Sequence, residues 1–451
     1  MKNNLFNEFS EVSSKEWKQK IQADLKGADY NQTLIWKTNE GIDVKPFYHA
    51  DEEKTTALST NTEASEWLIC DTIFVSDEKK SNHYAKEYLS KGAQSLKFII
   101  PTREISIPSL LEGINCKTTK LHFELQFLDS EYTNQLSNIS SKENIFIHTD
   151  IIGNLAKSGN WFSTLQEDFK QLENTVKTTS TLSVNLALYQ NAGANMVQQL
   201  AYALAHANEY LNHFNNTKQS LKFIFNVSVG TNYFFEIAKL RALRMLWKTL
   251  AAEYGITSDC HIFCEPTKRN KTLYDYNTNL LRTTTECMSA VLGGANTINN
   301  LDYDAIYHKT NEFGNRISRN QLLVLKHESY FDKVNNPADG AYYIENITQQ
   351  LAEKALNLFK DIEKNGGFLK QLKEGIIQKK IKETAANQQD KFNNNEDILL
   401  GTNKHPNPND KMANELELYP FIKTNPRKTL IEPIIEKRLA ETLEKDRLKT
   451  E

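Results

Sequence analysis

A chain of 451 residues with 39% hydrophobic and 10% aromatic content can bury one large core with appendages, or two ordinary domains. Its 54 basic and 57 acidic residues leave a formal charge of −3, which creates no long-range pull toward a phosphate backbone or an anionic membrane, so nucleic acid is not expected as a partner. No stretch approaches the roughly 20 apolar residues of a membrane span, and Met1 to Trp17 has no apolar core followed by a small-residue cleavage site, so no membrane contact and a cytoplasmic address are expected.

In chain order, residues 1–65 hold Trp17, Trp36 and the turn-rich Asn39-Glu40-Gly41 and read as an N-terminal arm. About eight apolar, β-branched runs follow: Trp67 to Val75, Leu96 to Ile100, Leu121 to Leu128, Ile145 to Ile151, Leu182 to Leu188, Leu221 to Val229, His261 to Cys264, and Asn296 to Asn299. Between them Asn195 to Tyr210, Tyr233 to Tyr254 and Asn279 to Leu292 carry apolar residues at three-to-four spacing, the mark of amphipathic helices. Strand and helix alternating in this way predict an α/β fold, a (β/α)8 TIM barrel over residues 66–348. The last two strands are short and partly polar, which leaves an open Rossmann-like sheet as the alternative, although no Gly-x-Gly-x-x-Gly follows an early strand. From about Gln349 the chain turns helical and charge-rich, then passes a polar run at Asn387 to Asp397 and the punctuation His405-Pro406-Asn407-Pro408-Asn409. It regains helical periodicity from Ile431 to Lys449, so residues 349–451 read as a helical C-terminal extension with no further domain after it.

The five cysteines, Cys70, Cys116, Cys260, Cys264 and Cys287, are odd in number and scattered, which suits reduced thiols. Cys260, His261 and Cys264 could be weighed as metal ligands, but they sit on an expected strand whose alternate residues face opposite sides, and no second ligand pair follows. Buried strand positions are the expectation, with no metal.

Several ordered segments resemble the barrel of the methylmalonyl-CoA mutase family. Asp24-Leu25-Lys26-Gly27, Thr33-Leu34-Ile35-Trp36 and Glu40-Gly41-Ile42-Asp43-Val44-Lys45-Pro46 are similar to its N-terminal pattern, and Phe234-Phe235-Glu236-Ile237-Ala238-Lys239-Leu240-Arg241-Ala242 with Leu246-Trp247 to one of its helices. Leu281-Arg282-Thr283-Thr284-Thr285-Glu286, Ala290-Val291-Leu292-Gly293-Gly294 and Arg316-Ile317-Ser318-Arg319-Asn320-Gln321 continue the match. Asn336-Pro337-Ala338-Asp339-Gly340-Ala341-Tyr342-Tyr343-Ile344-Glu345 and Leu400-Gly401-Thr402-Asn403-Lys404 complete it. Residues on barrel helices lie away from the strand ends where this fold does chemistry, so Arg241, Leu246 and Trp247 read as packing and mark the scaffold.

The resemblance implies a radical rearrangement of an acyl-CoA, in which adenosylcobalamin supplies the hard chemistry and the protein positions substrate and excludes water. The family's cobalt-binding Asp-x-His-x-x-Gly is not found; Asp304 to His308 has the wrong spacing and lacks the glycine, so His308 reads as a surface histidine. Positions that serve the substrate are also replaced: Cys70 and Thr72 stand for an arginine and a tyrosine, Ala187 and Leu188 for a tyrosine and a histidine, Phe263 for a histidine and Glu265 for a glutamine. These exchanges remove hydrogen bonds and charge, so no catalytic residue is expected. Tyr189 and Gln190 survive as weak cleft candidates, with filling of the barrel interior the plainer reading.

The resemblance therefore implies the small, non-catalytic subunit of a heterodimeric methylmalonyl-CoA mutase, paired with a large catalytic subunit that carries adenosylcobalamin and meets the acyl-CoA. Trp17 and Trp36 could wrap that partner or pack on this chain's own barrel. The alternatives are an active acyl-CoA-binding subunit served by a separate cobalamin protein, and an unrelated barrel with another activity.

Overall fold

The computed structural model describes residues 8–52, 64–215, 221–423 and 426–451. Residues 1–7, the start of the stretch read for a cleavage signal, and 53–63, inside the expected arm, lie outside the described residues.

Eight parallel strands form the barrel: β1 Leu68–Phe74, β2 Ser95–Ile100, β3 Lys120–Leu125, β4 Ile145–Ile147, β5 Thr181–Asn185, β6 Lys222–Val229, β7 His261–Pro266 and β8 Thr297–Asn299. Their order is β4-β3-β2-β1-β8-β7-β6-β5, and every neighbouring pair is parallel. The first strand lies beside the last, with Thr297 opposite Leu68, so the sheet curls into a TIM barrel and not an open Rossmann-like sheet. β4 and β5 touch along the remaining seam.

Strand parity sorts the side chains. On β2 and β3, Leu96, Phe98, Ile100, Leu121, Phe123 and Leu125 point outward into a core beneath the helices Glu78–Ser90, Ile107–Leu111 and Ser130–Ser137. On β5 to β8, Leu182, Val184, Phe223, Phe225, Val227, Ile262, Cys264 and Ile298 enter a second core under Met196–Phe214 and Tyr233–Glu253. Trp247 is fully buried there, its ring 4.4 Å from Phe223 and 5.6 Å from Phe225, and Arg241 pairs with Asp339 and Glu345.

Helix Tyr342–Lys364 lays Ile344, Ile347, Leu351, Ala355 and Ile362 against those two barrel helices, a stripe at three-to-four spacing. It begins before Gln349, so the expected boundary between barrel and extension falls inside one helix. The helix Ile376–Asn393 runs into the polar stretch that begins at Asn387.

The run from Leu121 stops at Leu125, three residues short, and three further elements differ from the expectation. The run from Ile145 stops at Ile147 because Asp150 caps the next helix, Ile151–Ser158, by accepting from the Gly153 N–H at 2.7 Å. The run from Leu182 ends at Asn185, whose side chain accepts from Leu188 N at the start of the short helix Ala187–Asn191. Between Ile431 and Lys449 only Glu441–Leu448 is helical. Pro433 interrupts the rest, and Ile434 N donates to the Ala156 carbonyl at 2.7 Å while Leu439 N donates to that of Arg269 at 2.9 Å, committing this backbone to other segments.

Candidate functional site

A TIM barrel does its chemistry at the C-terminal ends of the strands, so the inward-facing residues and the mouth above them decide what this one can hold. Inward parity brings Cys70, Phe146, Ile224 and Phe263 together on the axis. Three histidines join them: His122 stacks on Phe146 at 4.5 Å, His261 packs on Phe146 at 4.4 Å, and His148 meets Phe263 edge-on at 5.3 Å. The His148 Nδ1–H donates to Asn226 Oδ1 at 2.7 Å, which leaves His148 Nε2 to accept from His122 Nδ1–H at 2.9 Å. His261 Nε2 meets Thr297 Oγ1 at 3.1 Å. Burial pushes the His148 and His261 imidazoles down to about 3, with repulsion from neighbouring basic groups adding to it, and holds His122 well below its usual range.

Above this layer, Lys97 from β2 lies 2.8 Å from Glu124 on β3 and 3.5 Å from Glu265 on β7, and 4.9 Å above the Phe263 ring. Asn299 Nδ2 donates to Glu265 at 3.2 Å. Burial alone would lower the Lys97 ammonium, but the two carboxylates outweigh it and raise it; Lys97 in turn pulls Glu124 down to about 2. Lys97 and Glu124 are therefore charged near neutrality and offer no proton to exchange there.

The expected site positions are scattered by the same geometry. Cys70 and Phe263 are axis filler, and burial raises the Cys70 thiol. Thr72 is half-buried, two residues nearer the mouth, and its Oγ1 has no hydrogen-bond partner. Ala187 is half-buried on the short helix and Leu188 is buried in the core under Met196–Phe214 and Tyr233–Glu253.

Tyr189 and Gln190 part company. Tyr189 does not line a cleft: it is fully buried, its hydroxyl 2.9 Å from His206 Nδ1 and its ring against Tyr202 and Phe368, because the helical turn aims it at the Met196–Phe214 helix. His206 Nε2 in turn meets Asp150 at 2.9 Å, and Tyr210 donates to Asp150 at 2.7 Å, a buried network that the sequence reading missed because its members come from three separate elements. Gln190 does line a cleft, at its floor, where it donates to Glu236 at 3.0 Å and accepts from Lys239 at 2.9 Å. Cys260 and Cys264 face the outer core while His261 faces the axis, and no cluster of metal-ligand geometry occurs among the described residues. His308 lies 3.4 Å from Asp304 in the loop after β8.

The family model described as methylmalonyl-CoA mutase matches residues 138–445. A methylmalonyl-CoA mutase small subunit of Porphyromonas gingivalis is 34% identical over 90% of this chain and 72% of its own length. A methylmalonyl-CoA mutase of Rhizobium meliloti is 25% identical over 91% of this chain, which spans 66% of that protein. A mutase small subunit of Streptomyces virginiae is 23% identical over 88% of this chain and 71% of its own length. With a family model covering more than half of the residues and a relative above 30% identity along most of both chains, this protein belongs to the methylmalonyl-CoA mutase family.

Proposed function

We propose that this chain is the structural small subunit of a heterodimeric, adenosylcobalamin-dependent methylmalonyl-CoA mutase, in which a large subunit carries the cofactor and interconverts methylmalonyl-CoA and succinyl-CoA. The observation that carries this reading is the filled axis: Cys70, Phe146, Ile224 and Phe263 occupy the space where an acyl group would have to sit, and the Lys97, Glu124 and Glu265 trio spans the mouth above them. A reacting thioester needs preorganised donors beside an open volume, and here the donors are committed to one another. The residues at the mouth do not fit a corrin: His122 and His148 are buried and His261 half-buried within the plug, and His308 is engaged with Asp304. No step of the reaction is therefore assigned to this barrel.

Two relatives named small subunits support the assignment, and the arm agrees with it. Helix Ser14–Asp24 buries none of its residues on this chain, although a helix of this length is marginal in water without packing. Trp17 touches Phe47 edge-on within the arm and stays half exposed; Trp36 packs on Phe235 of the barrel, also half exposed. A partner with the same barrel would cover the bare helix and Trp17 along a pseudo-twofold interface. In this assembly the chain is cytoplasmic.

Mutase turnover measured with adenosylcobalamin for this chain alone, the large subunit alone and the two co-expressed should appear only when the large subunit is present. Turnover by this chain with an isolated cobalamin-domain protein would overturn the reading and restore an active acyl-CoA site.

A further inference from the structure

A cleft of about 800 Å³ lies beside the barrel mouth, between the loops after β5, β6 and β7 on one side and residues 36–40 and 384–399 on the other. Its volume is that of a small-molecule pocket. The floor is rigid and satisfied: Glu236, almost fully buried, accepts from Gly230 N at 2.7 Å and pairs with Lys239 at 2.6 Å, and Lys239 also donates to Gln199 at 3.1 Å. Gly193 is held at φ +101°, where a Cβ would come within 2.5 Å of Ala385 and 2.9 Å of Arg269 Nη2, so the wall is built from backbone at close approach.

The rim is the opposite. The side chains of Asn232, Asn387 and Asp390 line the cleft and make no hydrogen bond among the described residues. Asn387 and Asp390 are three apart on one helix and share a face. Arg269, itself 6% exposed, spends Nε on Gln388 and Nη1 on the Lys437 carbonyl, both at 2.7 Å, and leaves Nη2 over. Half of Trp36 is uncovered beside them.

The charges narrow the occupant. Glu40, Glu236, Asp390, Glu396 and Asp397 outnumber Arg269 and Lys391 among the lining residues, which disfavours phosphates and other anions. Burial raises the Glu40 and Asp397 carboxyls, a loss of solvent that disfavours charge of either sign in the cleft. A bare cation would leave Arg269 and the rim amide N–H groups unused. A hydroxyl donates and accepts at once, which is what a rim of carboxylate, amide and guanidinium matches.

We propose that this cleft binds an uncharged ring bearing vicinal hydroxyls, with the ring against Trp36 and the diol on Asp390 and its neighbouring amides. A free sugar and the ribose of a nucleoside share that chemistry. The site stands apart from the subunit reading, because it is assayed on the isolated full-length chain by binding and not by turnover.

The test is calorimetric titration of the full chain with glucose, with adenosine and with adenosine monophosphate, alongside the variants Trp36→Ala and Asp390→Asn and the thermal midpoint of each. Saturable binding in the millimolar range or tighter by glucose or by adenosine is expected, and the one that binds identifies the source. Each variant should weaken it about ten-fold, Asp390→Asn with an unmoved midpoint and Trp36→Ala with a lowered one from its lost packing on Phe235, and the monophosphate should bind about ten-fold more weakly than adenosine. Trp36→Tyr, which keeps an aromatic face, should retain binding. No saturation by either uncharged ligand, equal binding of the monophosphate, or indifference to both variants would overturn the proposal.

Discussion

Taking an ammonium out of water costs several kcal/mol unless charge and hydrogen bonds replace the solvent, and Lys97 meets that cost with two carboxylates and an aromatic face. Replacing it by methionine leaves Glu124 and Glu265 as unpaired like charges across the mouth. Their side chains keep 36% and 34% of their exposure, so the loss should be about 2 kcal/mol, below the range for a sealed pair. A urea titration of Lys97→Met should show the lower midpoint, and adding Glu124→Gln and Glu265→Gln should recover most of it. An unrecovered loss would assign the effect to the lysine stem packed on Phe263. None of this trio is visible in sequence, where the three residues are isolated charges on three strands; only closure of the barrel makes them neighbours. Tyr189 and Gln190 teach the same lesson at closer range, because a single helical turn sends one into the core and the other to the cleft.

At the scale of elements, strands were legible because a buried parallel strand must be an almost unbroken apolar run, and each of the eight runs overlaps a strand whose ends lie within four residues of those expected. Boundaries failed where a polar side chain captured the backbone, as Asp150 does for Ile151–Ser158, and where Pro433 and contacts to Ala156 and Arg269 overrode a helical period. Helix Tyr342–Lys364 shows that the extension is part of the barrel's own packing. Its Leu351 has no exposed surface, so Leu351→Ala should cost about 2 to 5 kcal/mol in urea unfolding, with one cooperative transition. A separate early transition would show instead that this helix unfolds without the barrel.

For the whole molecule, the histidine plug couples stability to pH. His148 and His261 fall to about 3 when folded, below the roughly 6.5 of an unfolded histidine. The unfolded chain then binds more protons between these values, so stability rises with pH through that window and is lost as pH falls below about 6.5. Each contributes up to about 1.4 kcal/mol per pH unit. Unfolding measured at pH 7 and pH 5 should show that loss, and His261→Asn should reduce the slope; an unchanged slope would place the titration elsewhere. The sequence by itself determined the alternation of strand and helix and the family, because each is written in local periodicity or in ordered motifs along the chain. Tertiary structure alone decided what fills the barrel and surrounds its opening: the plugged axis, the charged mouth and the open cleft beside it. Those depend on side chains from strands far apart in the chain meeting where the barrel closes, and no local pattern carries that information.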